Sequence, residues 1–96
     1  MKHAGAEALR RLSALLGKLR ARPLLQEKRP GVFYLKSRAF MHFHEDPAGL
    51  FSDVRLGEEF VRLPVASSSQ QAALLKRVDR RLAELATDRV RARAHR

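Results

Sequence analysis

Two histidines stand two residues apart, His42 and His44, in the run Arg38-Ala39-Phe40-Met41-His42-Phe43-His44-Glu45-Asp46. Side chains on a β-strand alternate between its two faces, so this spacing points both imidazoles the same way. Asp53 returns beyond the turn that follows, within reach across a hairpin. Two neutral ring nitrogens and one carboxylate are the ligand set of a facial iron site and of some zinc sites, provided that coordination positions stay open for water or substrate. Without a metal, the same residues can serve as acid and base, His42 being oriented by Asp53. The competing reading is purely structural: half-buried strand histidines, His42 bonded to Asp53 and packed between Phe40 and Phe51. No third histidine lies nearby in the sequence, because His3 and His95 stand near its two ends.

The elements that must position these residues follow from periodicity. Asp46-Pro47-Ala48-Gly49 has the composition of a tight turn, with Asp to bond the backbone, Pro to preset φ and Gly to release the chain. Closing that turn sets Glu45 opposite Leu50, His44 opposite Phe51, Phe43 opposite Ser52, His42 opposite Asp53, Met41 opposite Val54 and Ala39 opposite Leu56. Ala39, Met41, Val54 and Leu56 then share the core face, and Phe40, His42, His44 and Asp53 the outer one. A slip of one residue would bring Met41 against Asp53 and spoil the apolar face, which selects this register.

The period-two pattern runs from Val32 to Leu63 and predicts a meander of three or four antiparallel strands. Gly57-Glu58-Glu59 turns the chain into a last strand, whose Val61 and Leu63 are expected in the core. Before the sheet, Leu9, Leu12, Leu15, Leu16 and Leu19 fall on one side of an amphipathic helix over about residues 4–21, stopped by Pro23. Leu24 and Leu25 are expected to cap the core edge, and Gln26-Glu27-Lys28-Arg29-Pro30-Gly31 reads as a loop. After the sheet, Ser67-Ser68-Ser69-Gln70 is a capping-box pattern that opens a second helix over about 68–86, with Leu74, Val78, Leu82 and Leu85 inward. Residues 87–96 read as a basic tail. The expected architecture is a single α+β domain over 1–96, a two-layer sandwich with both helices on one face of the sheet.

Composition narrows the function. With 96 residues the chain supports one core. It contains no cysteine, which excludes disulfides, thiolate metal sites and cysteine nucleophiles, and nothing demands an oxidising compartment. No run approaches the roughly 18–20 apolar residues of a membrane span, and charged Glu7, Arg10 and Arg11 interrupt any signal-peptide core. A cytoplasmic protein without membrane attachment is therefore expected. The glycines stand apart, so no phosphate-cradling loop is present, and neither a nucleophile elbow nor a His-Glu-x-x-His pattern occurs. The formal net charge is +10, carried by residues 1–30 and 67–96, while the middle of the chain is nearly neutral. Basic ends suit a polyanion partner, nucleic acid above all, although such arginines also accumulate on solvated helix faces.

The run Arg38-Ala39-Phe40-Met41-His42-Phe43-His44, with Asp46, Gly49 and Leu50 after it, resembles the Phe-x-His-x-His strand of small bacterial proteins labelled luciferase-domain or luciferase-family. The likeness covers about residues 32–56. It departs where that group often has Ser-Leu-His after the turn glycine, since this chain reads Leu50-Phe51-Ser52. The resemblance implies His42 and His44 as a functional face and carries no reaction with it. The helix, meander, helix order is also similar to small frataxin-like domains in architecture alone.

These observations set three expectations. The first is a non-catalytic ligand- or protein-binding module whose outer sheet face carries Tyr34, Phe40, His42, His44, Phe51 and Asp53 and meets a protein, a small molecule or a second copy of the chain. The second is nucleic-acid binding through Arg77, Arg80, Arg81 and the tail arginines. The third is a metal-dependent activity at His42, His44 and Asp53.

Overall fold

The computed structural model describes residues 2–94. Its elements are β1 (Lys2–His3), α1 (Ala6–Arg11), α2 (Ser13–Arg20), β2 (Leu25–Arg29), β3 (Val32–Leu35), β4 (Arg38–Asp46), β5 (Gly49–Arg55), β6 (Phe60–Pro64) and α3 (Ser68–Ala94). Strands β2 to β6 form an antiparallel meander in chain order, and β1 pairs with β4. The sheet therefore has more strands than the three or four that alternation alone indicates. Its inward residues Phe33, Met41, Phe43 and Val54 form one buried cluster with Leu12, Leu15 and Leu19 of the first helical stretch and Leu74 and Val78 of α3. This is an α+β fold with its helices against one face of an antiparallel sheet. No helix among the described residues is long and apolar enough to cross a membrane.

The central hairpin has the register derived from its turn: Met41 pairs with Val54, His42 with Asp53, Phe43 with Ser52, His44 with Phe51 and Glu45 with Leu50. The turn chemistry acts as expected, with Asp46 Oδ1 accepting from the Ala48 N–H at 2.7 Å. At the head of α3, Ser67 and Gln70 form the reciprocal cap: the Gln70 N–H donates to Ser67 Oγ at 3.1 Å and the Ser67 N–H to Gln70 Oε1 at 3.0 Å.

Several boundaries differ from the sequence expectation. Gln26–Arg29 is not loop but most of the edge strand β2, paired with β3. Polar and charged side chains suit an edge strand, whose outer backbone faces water. Pro30 and Gly31 join β2 to β3 as a two-residue turn, with Gly31 at φ +76° as the third position of a type II turn requires. The N-terminal helix is interrupted at Leu12 (φ −95°, ψ 7°), and its first expected residues, Ala4 and Gly5, precede α1. The basic tail expected from residue 87 continues α3 as backbone helix through Ala94, and residues 95–96 lie outside the described part. Leu25 is buried, but Leu24 is 48% exposed. Leu63 packs on the core, whereas Val61, on the sheet-edge strand β6, is exposed.

The most consequential correction concerns Phe40. Phe33 pairs with Met41 but Tyr34 pairs with Ala39, so β4 holds one extra residue at this point. Such a bulge disrupts the alternation. Phe40 is consequently buried at 2% exposure within the core cluster, taking the place assigned to Ala39, and it belongs to no outer-face site.

Candidate metal centre

Beyond the bulge, β4 alternates cleanly. Met41 and Phe43 point into the core, while His42 and His44 lie on the face away from the helices. His44 is the more enclosed at 8% exposure, and His42 is half-buried. Local sequence explains this pair, but not the third imidazole beside it. Strand β1 pairs Lys2 with Glu45 and His3 with His44, which puts His3 on the same face. It is fastened there by the Ala4 N–H donating to the Phe43 carbonyl at 3.0 Å and the Gly5 N–H donating to Glu45 Oε2 at 2.6 Å. Ring centroids are separated by 4.9 Å for His3 and His44, 5.7 Å for His3 and His42, and 4.6 Å for His42 and His44. One ligand nitrogen from each of the three lies within 4.8 Å of the other two.

Asp53 takes a different part from the one the register suggests. Although its backbone is opposite His42, its Oδ2 lies 3.0 Å from His44 Nε2. The remaining capacity of the carboxylate is taken by Arg62 of β6, directly across the next strand pair, whose Nε and Nη2 donate to Oδ1 and Oδ2 at 2.8 and 2.9 Å. This bidentate guanidinium holds the Asp53 carboxyl below the usual carboxylate range, opposed by burial. An ionised Asp53 satisfied by Arg62 and His44 is thus an orienting group, not a free ligand. His42 Nδ1 lies 2.6 Å from His44 Nε2, and His44 Nδ1 is buried without a hydrogen-bond partner. Burial and the adjacent His44 push the His42 imidazole below its ordinary pKa, partly offset by Asp53, which favours its neutral, electron-donating form.

Of the other residues expected at a site, one, Phe51, adjoins the imidazoles through strand pairing. Phe51 is half-buried directly across from His44 on the outer face. Tyr34 is half-buried on β3 with Lys28 Nζ 5.0 Å above its ring. The aromatic side chain beside His42 is Phe60, at 5.2 Å between centroids, with the Arg55 guanidinium 4.4 Å from the Phe60 ring centroid. On α3, Arg77 and Arg80 are exposed and Arg81 is half-buried, with Glu84 at 3.9 Å from it. At 100° per residue, Glu84 and Asp88 fall on the same flank as these arginines, so the flank is not uniformly cationic.

Sequence reasoning missed His3, Arg62 and Phe60. For Arg62 and Phe60 a signal existed: closing the Leu56–Glu59 turn sets Arg55 opposite Phe60 and hence Asp53 opposite Arg62. For His3 there was none, because a two-residue strand has no period. No protein-family model, curated protein or solved structure matches the chain.

Proposed function

We propose that this chain is a metal-ion-binding module that holds a zinc-class divalent cation on its outer sheet face through His3, His42 and His44. The observation that carries the reading is the convergence of three imidazoles from two strands. Zinc takes imidazole nitrogens at about 2.0–2.1 Å, and three protein ligands with an open fourth position are a common arrangement for it. His3 and Phe60 are exposed beside the cluster, leaving the fourth position toward solvent.

Asp53 and Arg62 fit a supporting role. A metal-bound histidine generally donates its other ring N–H to a carboxylate, which fixes the tautomer. With His44 Nε2–H donating to Asp53, the lone pair of His44 resides on Nδ1, the buried nitrogen that has no other partner. Tetrahedral bonds of about 2.0–2.1 Å set ligand nitrogens about 3.3 Å apart. The 2.6 Å contact joins His42 Nδ1 to His44 Nε2, the nitrogen that donates to Asp53, so it is not a separation between two ligand nitrogens.

Competition titration of the tag-free protein against a chromophoric zinc chelator tests the proposal. One ion per chain is expected, with His3→Ala, His42→Ala and His44→Ala each weakening binding by at least about 100-fold and Asp53→Asn by about 10- to 100-fold. Lower pH weakens binding, since protons compete for the same lone pairs. Absence of zinc binding, or a stoichiometric site indifferent to His42→Ala and His3→Ala, refutes it.

A further inference from the structure

At the opposite end of β4, the start of that strand, the end of β5 and α3 enclose a cleft of about 460 Å³, within the range of small-molecule sites. Its floor includes Leu35, Phe40, Leu82 and Leu85. The β-bulge creates this floor, because it is what turns the Phe40 ring to the helical side. Leu24, an exposed large apolar side chain of the molecule, stands at the cleft.

The polar lining has a single sign. Lys36, Arg38, Arg55 and Arg81 border the cleft, and no acidic residue does among those described. Arg55 is occupied by backbone carbonyls of Ala39 and Glu58, and Arg81 has Glu84 at 3.9 Å. Lys36 and Arg38 are exposed and make no ion pair among the described residues. They follow one another across the β3–β4 turn, where Lys36 and Ser37 both have positive φ. An apolar floor beside two unneutralised cations complements a molecule with an apolar body and one anionic end.

We propose that this cleft binds a small amphipathic anion, a straight-chain acyl carboxylate, with its tail over Phe40, Leu82 and Leu85 and its carboxylate between Lys36 and Arg38. The proposal is independent of the metal centre, which lies on the other face of the sheet.

Calorimetric titration of the full chain in EDTA, with dodecanoate, dodecanol and dodecyltrimethylammonium below their micellar concentrations, provides the test. Saturable binding of one dodecanoate is expected, tighter than dodecanol by tenfold or more, with no saturable binding of the ammonium compound. Shortening the acid by one methylene weakens binding about fourfold, the equivalent of about 0.8 kcal/mol. Lys36→Glu with Arg38→Glu, both at exposed positions, lowers dodecanoate affinity at least tenfold and leaves dodecanol unchanged. Equal binding of the anion and the cation, no saturable binding, or insensitivity to the double charge reversal overturns the proposal. So does a dimer, seen by sedimentation, that covers the cleft and resists dodecanoate.

Discussion

His42 is partly withdrawn from solvent, and that burial, together with His44, depresses its pKa. The unfolded chain binds a proton at His42 near pH 6.5. The folded chain binds it only at lower pH, so stability from this group is complete above about pH 6.5 and is lost as pH falls through the folded value. Replacing His42 by Gln in metal-free protein should flatten the pH dependence of the urea midpoint between about pH 7 and 5. An unchanged slope would show that His42 is as solvated in the fold as in the unfolded chain. The carboxylates act lower down the scale. Arg62 lowers Asp53, Arg20 lowers Glu27 and Arg22 lowers Asp79, each chiefly by hydrogen bonding, so their contributions fade only below about pH 4. Ser52 of β5, paired with Phe43, is completely buried with its hydroxyl unpartnered.

Two neighbouring hairpin turns both demand positive φ and meet it with different residues. At Gly31, φ is +76° and an added Cβ would lie 2.7 Å from Leu9 Cδ2, so this turn seats the first helical stretch against the sheet. Gly31→Ala should cost about 1–3 kcal/mol through backbone strain and overpacking. At the β3–β4 turn, Lys36 and Ser37 have φ of 53° and 67° without being glycine. A two-residue turn with both central φ positive is of type I′, where Asn-Gly is preferred. Ser37→Gly should therefore stabilise the protein by about 0.5–1 kcal/mol. Urea unfolding of the two variants side by side checks both signs; a destabilised Ser37→Gly would mean that the serine side chain compensates for its conformation.

Across the molecule, twenty basic side chains face ten acidic ones, giving the formal charge of +10. A long, exposed cross-element pair such as Lys2 with Glu45, 3.9 Å apart, contributes little to stability. Self-repulsion at this net charge opposes the compact state, and salt screens it over a Debye length of about 10 Å at 0.1 M. Raising sodium chloride from about 20 to about 300 mM should move the urea midpoint upward at pH 7. A downward shift would mean that attractive pairs outweigh the repulsion.

Much of this architecture is contained in short-range pattern. The Asp46–Gly49 turn and the apolar alternation of Met41, Phe43 and Val54 are sufficient to specify the central register, because a one-residue slip turns every side chain to the wrong face. The leucine spacing and the Ser67–Gln70 cap likewise identify both helical stretches. The edge strand β2 escapes this logic, since it is held by backbone pairing and not by an apolar period. Phe40 escapes it too: a bulge depends on how β3 meets β4, and it redirects one ring from the outer face into the core. Even with the register known, Asp53 engages His44 and Arg62 instead of the histidine opposite it, because side-chain reach selects partners diagonally as well as directly. His42 and His44 could thus be recognised as a pair from their spacing alone. Their union with His3 required the chain to close back on itself, because two residues at one end of the sequence acquire a defined position only when the edge of β4 supplies their backbone partners.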